Sequence, residues 1–237
     1  MKALNIAAFA LNAALYVAVG VLFSVVVPLK FGVVRFWPQV IIPATFAAVF
    51  GPWVGGLGAA VGIFISDIML GGDPLLSLMA GVTSNFVCFW LVGYIATKKP
   101  RWLIPVVSYS IASVALAWIS YIYTDFIYVI MIAAIYVIFL ALVFASSKWR
   151  GYEFGSIIGL LLGSAIIGAM VPVFAAFFTP PGKTPIADLT IASGLAYFIW
   201  TFATEIPFML VLGPPIITAV KRAFPRLSRQ ETTSELP

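Results

Sequence analysis

The chain reads as an all-α polytopic membrane protein, a helical bundle of about eight transmembrane helices, and three observations predict it. First, the 237 residues are 63% hydrophobic and 9% charged, with mean hydropathy +1.13, whereas a soluble domain carries about 25% charged residues. Second, apolar runs of membrane-helix character recur along the chain, parted by Gly, Pro and charged breaks. Third, the basic residues collect in alternate breaks.

In order, the runs cover 4–27, 37–51, 54–70, 75–97, 102–122, 126–147, 155–178 and 192–221. The first is too long for the apolar core of a cleavable signal peptide and reads as the first membrane helix. With that helix starting in the cytoplasm, the inside segments hold Lys2, then Lys98, Lys99 and Arg101, then Lys148 and Arg150, then Lys221, Arg222, Arg226 and Arg229. The outside holds Lys30, Arg35 and Lys183. Ten of the 13 basic residues thus fall on one side, which predicts a multi-pass protein of the cell membrane with both termini cytoplasmic, N-in/C-in. Topology accounts for the net charge of +5, and no nucleic-acid surface is needed. Residues 1–224 read as a single transmembrane domain, and the polar stretch 225–237 reads as a disordered cytoplasmic tail.

The stretch from Arg35 to Asp67 departs from ordinary membrane helices. Two runs of about 15 residues, each roughly 22 Å as helix against about 30 Å of hydrocarbon, fold back at Gly51-Pro52. Gly55, Gly56, Gly58 and Gly62 thin the second run so that another backbone can approach it. A short, Gly-rich hairpin with Arg35 at one end and Asp67 at the other is expected inside the protein beside a polar cavity, as a spanning or a re-entrant pair.

Polar residues set deep in apolar runs are the candidate solute contacts. Glu205, about 13 residues into the last run, lies roughly 20 Å deep, where a carboxyl must be protonated, paired or in contact with water. Asn85, about ten residues into its own run, reaches a similar depth, to meet either solute or another helix. Tyr197 lies about 80° from Glu205 around an ideal helix, nearer than Trp200 at about 140°. Trp37 reads as either a solute contact or an interfacial aromatic. Asp67 pairs with Arg35 or contacts solute. Pro207 frees backbone carbonyls near Glu205.

Other function classes lack their residues. There is no histidine and a single cysteine, Cys88, so neither a metal site, a cofactor nor an enzyme is expected. No GxxxxGK[ST] loop is present, so any ATP-driven work falls to another polypeptide.

A small-residue first helix, a short helix ending in GP, a Gly-rich helix ending in SD and a last helix carrying IPFMLVLG follow one another here. That succession resembles the substrate-binding (S) subunit of energy-coupling factor transporters, which capture vitamins and related micronutrients. The resemblance covers 4–97 and 155–221. It implies a six-helix core, to which 102–147 adds an inserted helical hairpin. It further implies that Ala10 and Ala14, or Ala14 and Ala18 in a second register, face a membrane scaffold subunit linked to a pair of ATPase subunits. Small residues four apart allow such close packing within the lipid bilayer. The first outside loop, closed by Arg35, Phe36 and Trp37, would fold over a bound solute as a lid. The expected function is ATP-driven vitamin uptake as the capture subunit. A self-sufficient proton-coupled carrier is the alternative, with Glu205 exchanging protons.

Overall fold

A computed structural model describes residues 3–178 and 190–224. Among them, seven helices are long and apolar enough to cross a membrane: α1 (Ala3–Val26), α3 (Pro52–Met69), α4 (Pro74–Ala96), α5 (Leu103–Tyr123), α6 (Phe126–Ala145), α7 (Arg150–Phe178) and α8 (Ile191–Ala223). An eighth, α2 (Pro38–Phe50), is shorter. At 1.5 Å per residue it reaches about 20 Å, less than a bilayer core. The protein is therefore an all-α polytopic membrane protein with a partial helix inside the bundle. The tail from 225, the loop at 179–189 and Lys2 lie outside the described residues.

Surface chemistry agrees with a lipid environment. The outward sides of α5 and α6 expose Ile111, Val114, Trp118, Tyr121 and Val137, an apolar surface that water would not tolerate at this extent. Several hydroxyls inside the bundle donate to carbonyls of their own helix, as Ser66 does to Gly62 at 2.8 Å.

Close helix contacts rest on glycine. On α7, Gly151, Gly155, Gly159 and Gly163 recur every fourth residue and form one stripe against α4. A Cβ at Gly159 would lie 2.6 Å from the Cys88 carbonyl oxygen, and one at Gly163 would lie 3.1 Å from that of Ser84. On α3, Gly58 and Gly62 receive Asn12 and Tyr16 of α1. Asn12, fully buried, donates to the Val54 and Gly55 carbonyls at 3.0 and 3.3 Å. The α2–α3 turn needs Gly51, whose φ of 94 is left-handed.

α2 and α3 stand within the bundle, flanked by α1, α4 and α8. The 102–147 pair packs on the other side, where Tyr109 of α5 meets Phe139 of α6 at 4.8 Å and Phe202 of α8 at 6.4 Å between ring centroids.

Between α1 and α2 the chain forms a two-stranded antiparallel hairpin, β1 (Lys30–Phe31) and β2 (Val34–Arg35). Gly32, with φ of 55, takes the first turn position that such hairpins reserve for glycine. α7 starts at Arg150, five residues before the expected 155. Tyr152 and Glu153, which read as a polar break, are buried there, and the Tyr152 hydroxyl donates to the Met209 carbonyl at 3.0 Å. α4 holds a π-helical turn at Ser77–Val82, a local feature frequent at functional sites.

Candidate functional site

Under the hairpin lies a cavity of about 530 Å³, within the range of small-molecule sites. α1, the hairpin, α2, α3, α4, α7 and α8 all contribute to its wall. The hairpin forms its roof, and Arg35 holds that roof down. The Arg35 guanidinium sits 3.1 Å from Asp67 Oδ1 and donates to the Leu70 carbonyl at 3.2 Å. Asp67 Oδ2 accepts from the Ser77 hydroxyl at 2.7 Å. Both carboxylate oxygens are thereby engaged within the protein, and Asp67 ties the hairpin to α3 and α4.

The hairpin tip docks on α8. Phe31 stacks on Trp200 at 5.8 Å and meets Tyr197 edge-on at 5.5 Å. A Cβ at Gly32 would collide with the Tyr197 hydroxyl. Tyr197 therefore packs against the hairpin and is not among the residues of the cavity wall. The 80° separation from Glu205 holds for a bare helix; the hairpin fills the space that Tyr197 faces.

Deeper in the cavity, Trp37, Asn85 and Glu205 line the wall. Trp37 is 5% exposed, packed edge-on against Tyr16 at 6.0 Å and seated over Gly20. It is an interior residue, which a membrane-surface aromatic would not be. Asn85 links two helices: its Oδ1 accepts from the Tyr16 hydroxyl at 2.7 Å, and its Nδ2 donates to the Gly81 carbonyl at 2.9 Å.

Glu205 is 6% exposed. No hydrogen bond or ion pair among the described residues engages its carboxyl, and the basic residues of the wall, Lys30 and Arg35, stand at the mouth. A carboxyl at this depth without a protein partner is the least compensated polar group in the site. Among the described residues no group of three His, Cys, Asp or Glu side chains could hold a metal ion.

Tyr16, Thr201 and Phe89 also line the cavity, and the sequence carries no mark of Tyr16 or Phe89. Thr201 precedes Glu205 by four residues and so shares its helix face. That spacing is the one signal that could have found it.

Ala10, Ala14 and Ala18 are exposed on α1, facing away from the Asn12 and Tyr16 side that packs on α3. The described basic residues other than Lys30 and Arg35 belong to the helix ends away from the lid. There Gly151 abuts the Lys98 carbonyl and Arg150 Nε donates to the Val143 carbonyl at 2.9 Å.

No family model, curated protein or solved structure matches this chain.

Proposed function

We propose that the chain is a solute-capture subunit of an importer of the energy-coupling factor kind. A small micronutrient of the vitamin class enters from outside, is covered by the Lys30–Trp37 hairpin and rests between α4, α7 and α8. The exposed Ala10 and Ala14 face then docks on a membrane scaffold subunit, and separate ATPase subunits drive inward release. Both termini are cytoplasmic in this reading, with α2 counted as a short eighth crossing.

The observation that carries it is Glu205, an uncompensated carboxyl facing a roofed cavity of about 530 Å³. Burial of such a group costs on the order of 3 kcal/mol at a bilayer midplane, and a bound solute supplies what would offset it. The shallow lid latched by one ion pair suits a site that opens to one side.

The same uncompensated carboxyl favours a second reading, a carrier that exchanges protons at Glu205 without partners. Metabolite profiling of cells that make the chain with or without a scaffold and ATPase pair separates the two. Capture predicts that a medium component accumulates only with the partners present. Accumulation by the chain alone in proteoliposomes would transfer the assignment to the carrier.

A further inference from the structure

The inner cavity wall has one-sided hydrogen-bonding chemistry. Asn85 Nδ2 faces the Gly81 carbonyl at 2.9 Å, which sets the amide orientation and leaves Oδ1 to accept from the Tyr16 hydroxyl at 2.7 Å. The Ser84 hydroxyl donates to the Gly81 carbonyl at 2.9 Å, and the Thr201 hydroxyl donates to the Tyr197 carbonyl at 2.9 Å. Because a carbonyl can only accept, the single proton of each of these hydroxyls is committed inside the protein. What Tyr16, Ser84 and Thr201 have left is lone pairs.

The remaining donors are few. Trp37 Nε1 is buried, with no hydrogen-bond partner among the described residues. The second amide proton of Asn85 has Ser84 Oγ at 3.5 Å. Lys30 stands at the mouth and Arg35 is held by Asp67. The wall thus offers hydroxyl lone pairs together with a carboxyl that is acceptor-only when ionised. Phe89 and Trp37 supply flat apolar wall beside them.

We infer that the solute carries a cationic, N–H-rich head of the amidinium or amino-heteroaromatic type, seated against Glu205, with a flat apolar body along Phe89 and Trp37. This rests on the capture reading and narrows its solute class. A carboxylate or phosphate head would meet like charge at Glu205. A quaternary ammonium would satisfy the charge and leave the lone pairs unpaired.

The test uses the full chain in lipid nanodiscs and four small probes, read by ligand-observed NMR titration. Benzamidine has charge and donors, benzamide donors alone, benzyltrimethylammonium charge alone, and benzoate the opposite charge. Benzamidine should bind at least about tenfold more tightly than each of the other three, the size of one lost charged hydrogen bond. Glu205→Gln, with an unchanged circular dichroism spectrum and elution volume, should weaken benzamidine about tenfold. Thr201→Val, a near-isosteric loss of one acceptor, should weaken it severalfold and decides the matter if Glu205→Gln fails to fold. Benzoate binding as tightly as benzamidine, or wild-type affinity in both variants, overturns the head-group assignment and leaves capture standing. Binding of none of the four probes overturns both.

Discussion

The Arg35 guanidinium lies 3.1 Å from the Asp67 carboxylate, joining the second strand of the lid to the end of α3 across the cavity mouth. The pair is partly buried, at 26% and 19% side-chain exposure, so solvent screens it less than a surface pair. Asp67→Asn should loosen the roof without unfolding the bundle. Hydrogen exchange of the amides in 30–36 should quicken about tenfold, as loss of about 1.5 kcal/mol of charged hydrogen bonding implies. Arg35→Lys should behave similarly, because one ammonium cannot serve both Asp67 and the Leu70 carbonyl in this fork geometry. Unchanged exchange in both variants would show that the pair does not hold the lid.

Phe31 supplies the other attachment, through Trp200 and Tyr197. Phe31→Ala should free the hairpin tip and raise exchange at Gly32 and Val33 more than at Arg35. An aromatic pair contributes about 0.5–1.5 kcal/mol beyond its buried area, so the effect should be severalfold. The distribution of exchange along the hairpin, read by mass spectrometry, checks it.

The glycine stripe of α7 should be intolerant of side chains. Gly159→Ala places a methyl 2.6 Å from the Cys88 carbonyl oxygen and should cost about 1–3 kcal/mol by overpacking. Gly51→Ala has open space around it yet a left-handed φ of 94, so its penalty is conformational. Both should lower the thermal midpoint in detergent. Gly159→Leu should lower the yield of folded protein further, while Gly51→Leu should stay close to Gly51→Ala.

Ala10→Leu and Ala14→Leu alter a face that no described residue covers. Melting temperature and probe binding should stay near wild type, while co-purification with a scaffold subunit and uptake should fall about tenfold or more. Uptake at the wild-type level in the double variant would remove α1 as the docking helix.

Much of the helical frame is legible in the sequence because apolar length alone specifies a membrane helix. The start of α7 is not, since Arg150, Tyr152 and Glu153 look like a loop until α4 and α8 are packed on them. The hairpin is too short for any alternating pattern, its strands being two residues each. Glu205 and Asn85 stand out as polar residues in apolar runs, and both reach one cavity. Tyr16 and Thr201 escape notice because an isolated Tyr or Thr is ordinary in a membrane helix. The place of Tyr197 depends on the path of the hairpin, which no periodicity within α8 can convey.

The central claim is that the cavity holds a solute, and native mass spectrometry of the gently purified chain tests it most directly. Protein from vitamin-supplied cells should carry one small-molecule adduct at high occupancy, released on activation and lost in Glu205→Ala. A wild-type protein that flies at its bare sequence mass, with its helical content intact, would contradict the account.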